Sequence, residues 1–181
     1  DLLWIGRRDS TVYRTLYIAR SNGNGFDSQG YQIDANGDYA YFVDGRYIPA
    51  DVNGDGRTDL VWVYFYDNTL AISVYHAFQS GTRTALARVS SSRDTTFTPT
   101  NYQSHNFATG DVNGGGKADI VWTFWHSNVL ARAVFLSNAN GSGFDKLSLE
   151  REEGLFTYAS IKDLASHLGD VNGDNRADLV I

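Results

Sequence analysis

A nine-residue acidic loop that runs straight into an apolar strand occurs three times, as Asp51-Val-Asn-Gly-Asp-Gly-Arg-Thr-Asp59, Asp111-Val-Asn-Gly-Gly-Gly-Lys-Ala-Asp119 and Asp170-Val-Asn-Gly-Asp-Asn-Arg-Ala-Asp178. The copies begin 60 and 59 residues apart. A fixed period marks a repeat architecture, in which each unit is one supersecondary element that buries its apolar face only against its neighbours.

The loop's spacing carries its chemistry. Oxygen-bearing side chains at positions 1, 3, 5 and 9 converge on one hard cation when glycines let the backbone curl, and calcium takes six to eight such oxygens. In the first copy the donors are Asp51, Asn53, Asp55 and Asp59 with the backbone carbonyl of Arg57, and Gly54 and Gly56 permit the turn. The second copy offers Asp111, Asn113, the carbonyl of Lys117 and Asp119, but has Gly115 where a carboxylate should stand. The third offers Asp170, Asn172, Asp174, the carbonyl of Arg176 and Asp178, with Asn175 at the second glycine position. Asn is the non-glycine residue that best tolerates a left-handed backbone, so that turn should survive. The expected order of affinity is first, third, second. Magnesium, which prefers a small octahedral shell with several waters, suits these loops less well.

Asp, Asn and Gly also make ordinary turns, but three copies in one register carry acids at positions that a turn does not require. An EF-hand begins similarly, yet needs Glu at position 12 and flanking helices. Position 12 is Trp62, and Leu60-Val-Trp-Val-Tyr-Phe-Tyr66 is rich in aromatic and β-branched residues, which is strand chemistry.

The repeat extends beyond the loops. Asp59-Leu-Val-Trp62 matches Asp119-Ile-Val-Trp122, Asp178-Leu-Val-Ile181 and Asp1-Leu-Leu-Trp4. A second strand is predicted after a short polar turn in each unit, over 11–18, 69–76 and 129–136, making a hairpin. Tyr17, Tyr75 and Phe135 fall at one offset within these strands. Further along, Ser21-Asn-Gly-Asn-Gly-Phe-Asp27 matches Asn138-Ala-Asn-Gly-Ser-Gly-Phe-Asp145, with no clear counterpart in the middle unit. Asp38-Tyr-Ala-Tyr-Phe-Val43 is a further candidate strand before the first loop. The chain reads as one all-β repeat region over 1–181, with units 1–58, 59–118 and 119–177 and a new start at 178–181.

These residues resemble the FG-GAP and VCBS repeats of integrin alpha-subunit heads and of propeller lectins, whose signature is a D-x-[DN]-G-D-G-x-x-D-L calcium loop. Asp51 to Leu60 matches it fully, Asp170 to Leu179 nearly so, and Asp111 to Ile120 apart from Gly115. The resemblance implies a β-propeller of four-stranded blades with bound Ca²⁺, each blade here spanning about 60 residues, somewhat longer than the ~40–50 of common propeller repeats. Three units are fewer than the four to eight of a closed propeller. A longer ring, or a ring shared between copies as a homo-oligomer, is therefore expected.

Composition narrows the function classes. A net charge of −6 and a pI near 5.0 argue against nucleic acid as a partner. There is no apolar run long enough for a membrane-spanning helix, and no cysteine for disulfides. Loops of this type suit calcium-rich surroundings, so a secreted or extracellular location is expected. His76, His105, His126 and His167 lack metalloprotease spacing, and no nucleophile elbow or Walker loop occurs. Glu150, Glu152 and Glu153 read as a solvated turn rather than as a glycosidase pair. The chain is expected to be non-enzymatic.

Binding remains. Four Trp and eleven Tyr suit the stacking of sugar rings, and a lectin that binds glycans or cell-surface glycoconjugates is the expected function. The alternatives are a protein-binding adhesion propeller and a scaffold segment of a secreted toxin or polysaccharide-degrading enzyme. Trp4, Trp62 and Trp122 share one repeat position on what should be the innermost strand, and are expected in the core. Trp125 is not repeated and is the expected exposed ligand platform, together with Phe26, Tyr31 and Phe144.

Overall fold

The computed structural model describes residues 1–9, 11–34, 45–67, 69–96, 103–126, 129–152 and 165–181. All regular elements among them are β-strands. Strands β1 (Leu2–Arg8), β2 (Thr11–Ala19) and β3 (Phe26–Asp34) form a three-stranded antiparallel sheet in that order. Next come β4 (Arg46–Ala50), β5 (Asp59–Tyr66), β6 (Thr69–Ser80) and β7 (Arg83–Asp94), a four-stranded sheet in sequence order. A second such sheet contains β8 (Gln103–Gly110), β9 (Asp119–His126), β10 (Val129–Ser137) and β11 (Phe144–Glu152), and β12 (His167–Gly169) pairs with β13 (Asp178–Val180). We call these sheets 1 to 4.

The predicted hairpins are present, with Leu60 opposite Tyr75 and Ile120 opposite Phe135. Each second strand carries a bulge beside its repeated aromatic, between Thr15 and Tyr17, Val74 and Tyr75, and Val134 and Phe135. A bulge at one place in every sheet adds local twist there.

Strand β5 is apolar at nearly every residue because both its faces are covered. Leu60, Trp62 and Tyr64 pack with Leu3, Ile5 and Leu16 of sheet 1. Val61 and Val63, pointing the other way, pack with Ile120, Trp122 and Phe124 of sheet 3. A strand buried on both faces loses the polar alternation of a half-exposed one. The sheets thus stack face against face in chain order, and β8 lies against both β4 and β12. No ring is closed among the described residues.

The tryptophans sit in repeated stacks. Trp62 lies between Tyr47 and Tyr64, with ring centroids 5.4 and 3.9 Å away, and Trp122 between Phe107 and Phe124, at 5.4 and 4.1 Å. Both are buried. Trp4, expected to match them, is 52% exposed. Among the described residues no strand pairs with the free edge of β1, and Gly6 stands where Tyr64 and Phe124 supply the second ring, so the stack does not form. Nor is the strand of Trp62 or of Trp122 innermost: loops 1 and 2 join β4 to β5 and β8 to β9, which puts these two tryptophans on the second strand of their sheets, whereas Trp4 lies on the edge strand β1.

In the middle unit β6 and β7 continue to the pair Ser80–Arg83 around a tight turn at Gly81. Sheets 1 and 3 end that hairpin earlier, at Ala19–Phe26 and Ser137–Phe144, and use a wider turn. The missing sequence match there reflects this different turn. The candidate strand at 38–43 lies outside the described residues. Among those residues no helix is long and apolar enough to cross a membrane.

Candidate metal sites

Each loop wraps around the carboxylate of its first residue. In loop 1, Asp51 Oδ1 accepts hydrogen bonds from the backbone N–H groups of Gly54 (2.8 Å) and Asp55 (3.2 Å), and Oδ2 accepts one from Gly56 (2.8 Å). The Asp55 N–H is shared with Asn53 Oδ1 at 2.8 Å. The oxygens of positions 1 and 3 therefore converge on one point. Gly54 and Gly56 hold φ of 77° and 80°, a left-handed backbone that a side chain would strain.

The other loops repeat this geometry. In loop 2, Asp111 accepts from Gly115 and Gly116 at 2.9 and 2.7 Å, and Asn113 Oδ1 from Gly115 at 2.7 Å. In loop 3, Asp170 accepts from Gly173, Asp174 and Asn175 at 2.6, 3.2 and 2.8 Å. Asn175 takes φ of 65°, so the asparagine does fill a left-handed position.

Position 9 plays a part that spacing alone did not reveal. Asp59 is 2% exposed; its Oδ2 accepts from Val52 N–H at 3.2 Å and its Oδ1 from Ala77 N–H at 2.8 Å. Asp119 does the same with Val112 (3.1 Å) and Ser137 (2.9 Å). One carboxylate thus ties the loop's entrance to the far end of the neighbouring strand. Asp1, at the same repeat position, accepts from Ala19 N–H at 2.9 Å. Burial pushes the Asp59 and Asp119 carboxyls above their ordinary range despite these hydrogen bonds.

Position 5 behaves differently. Burial pushes Asp55 up, but hydrogen bonds from the Arg57 N–H and Asn53, with the charge of Arg57, together outweigh it and hold the carboxyl below its ordinary range. The Arg57 guanidinium lies 2.7 Å from Asp55 Oδ2. Asp170 is likewise held low, by the N–H of Asn175 above all.

Among the described residues no three Asp, Glu, His or Cys side chains gather closely enough to hold a metal by themselves. The loops nevertheless fit calcium: their oxygens are hard, the first and third positions already converge, and the left-handed turns expose the intervening backbone. A cation here would draw on the Asn side chain and the position-7 carbonyl as well as the carboxylates.

The loops also touch one another. Ala118 N–H of loop 2 donates to Asp51 O of loop 1 at 2.8 Å, and Ala177 N–H of loop 3 to Asp111 O of loop 2 at 2.7 Å. A Cβ on Gly54 would come within 3.2 Å of Gly116 O.

The expected ligand-binding aromatics are dispersed. Trp125 is 1% exposed, which corrects the expectation of an exposed platform. It occupies the repeat position of Phe65, on the face of β9 that lines the cleft toward β12 and β13, beside Leu130 and Leu168. Phe144 packs partly buried against the core between sheets 2 and 3. Phe26 and Tyr31, 48% and 71% exposed, lie on β3, where Tyr31 meets Tyr13 edge-on at 5.9 Å. The four do not form one site.

Residues 51–122 match the family model for the FG-GAP-like repeat. No curated protein and no solved structure matches the chain.

Proposed function

We propose that this chain, whose residues 51–122 are an FG-GAP-like repeat, is a non-enzymatic binding module of a secreted or extracellular propeller, stabilised by calcium in its three acidic loops. The observation that carries the reading is the threefold loop, with the same oxygens folded onto the same backbone N–H groups at Asp51, Asp111 and Asp170. Calcium, when bound, would neutralise loop carboxylates and lock the turn between the first two strands of a sheet. Stacking of successive sheets, each covering its neighbour's apolar face, supports the propeller arrangement.

Carbohydrate is the ligand class we favour. Tyr31 presents an exposed ring held by Tyr13, and such a ring offers stacking area at low entropic cost. The reading is tested by a glycan array probed with and without calcium. Calcium-dependent binding to one sugar class that Tyr31→Ala abolishes is the expected result. Silence from folded, calcium-loaded protein would replace the lectin by a protein-binding adhesion module.

A further inference from the structure

We infer that the three loops load calcium as a coupled row rather than as independent sites, and that the turn between β10 and β11 is a positioning element for the first loop. This rests on the calcium reading above. The coupling has a visible path, since the position-8 N–H of each following loop donates to the position-1 carbonyl of the one before, at Ala118 to Asp51 and Ala177 to Asp111. The first residue of a loop is the one whose carboxylate gathers the turn, so fixing it also fixes the acceptor on which the next loop hangs.

The contact is close at a second point. Gly54 faces Gly116 O and the Lys117 stem, and a Cβ added to Gly114 would meet the Arg176 stem at 3.6 Å. Lys117 and Arg176 are the position-7 residues, whose carbonyls belong to the calcium donor set. Each loop's donor residue therefore abuts the backbone of the loop before it.

A third path runs from loop 2 back to loop 1. Lys117 Nζ donates to the carbonyls of Asn138 (3.2 Å) and Ala139 in the β10–β11 turn. Within this turn Gly141, with φ of 67°, lies so close to loop 1 that an added Cβ would stand 2.5 Å from Asn53 Cα and 2.6 Å from Val52 O. His76 Nε2 lies 2.9 Å from Gly141 O and holds the turn down on β6. Loop 1, loop 2 and the turn thus form a closed circuit of contacts around Asn53, and only a glycine fits where the turn meets the loop. Loop 2, which lacks a carboxylate at Gly115, has an ordered loop on each side.

The test is calorimetric titration of calcium into chelator-stripped wild type, Asp174→Ala and Lys117→Met. Asp174→Ala removes a donor from loop 3 only, yet should also weaken the middle site, by about tenfold for a typical coupling. Lys117→Met keeps the position-7 carbonyl but frees the turn, and should weaken the first site several-fold; Gly141→Ala should do so more strongly. Amide exchange at Ala118 should slow on calcium addition in wild type and not in Asp55→Ala. Loss of one site in Asp174→Ala with the other affinities unchanged, and unaltered binding in Lys117→Met, would overturn the coupling while leaving calcium in place. A wild type that binds no calcium would overturn the calcium reading and the coupling together.

Discussion

Asp59 does two jobs whose demands conflict. Its two oxygens hold the N–H groups of Val52 and Ala77, while burial favours its neutral form. Asp59→Asn keeps one acceptor oxygen and turns a donor toward the other N–H, and should cost about 1–3 kcal/mol in urea unfolding of stripped protein. Asp94 has the opposite sign. Burial pushes it up, but hydrogen bonds from Thr96 and Lys146 outweigh that and hold it low. A carboxyl depressed in the folded state contributes stability above its unfolded pKa of 3.8 and loses it as pH falls through the lower folded value. The Asp94–Lys146 pair joins β7 to β11 at 3.0 Å, so Lys146→Met should cost up to about 1 kcal/mol near neutrality. That deficit should vanish in unfolding curves taken below the depressed pKa. A deficit independent of pH would assign Lys146 a packing role instead.

At the scale of the element, the loops and hairpins were legible because their rules are local. Position-specific acids, left-handed glycines and runs of aromatic and β-branched residues identify a loop and the strand after it from sequence alone. Asn175 shows how far that reading reaches: its left-handed φ was expected from residue type. Asn175→Gly should leave stability nearly unchanged, whereas Asn175→Ala should cost about 1 kcal/mol, read as a shift in the unfolding midpoint. What was not legible depends on neighbours. The bracing by Asp59 and Asp119 needs the end of the next strand. Trp125 looked distinctive because it is unrepeated, but its strand has the same two-sided burial as β5, and a Trp where sheet 2 has Phe65 is a change of core volume. The β6–β7 turn of the middle unit has no sequence counterpart because it is shorter than the β2–β3 and β10–β11 turns, while its strands keep the repeat.

For the molecule as a whole, stability resides between sheets. Trp62→Ala removes the centre of a three-ring stack that joins sheet 2 to sheet 1, and should cost about 3–5 kcal/mol. Trp4→Ala, at the same repeat position but half exposed, should cost far less. Equal losses would mean that a further sheet covers Trp4 in solution. The sheets follow one another in chain order, and the acidic loops form a row joined by backbone hydrogen bonds. That row is where calcium would act on several sheets at once. The most direct measurement is thermal unfolding of chelator-stripped protein against calcium concentration, with magnesium as control. Binding to the folded state alone should raise the transition steadily, by about 2.7 kcal/mol per site at a hundredfold excess over Kd, with little response to magnesium. A transition unmoved by millimolar calcium would contradict the account, leaving the loops as turns held by their own backbone.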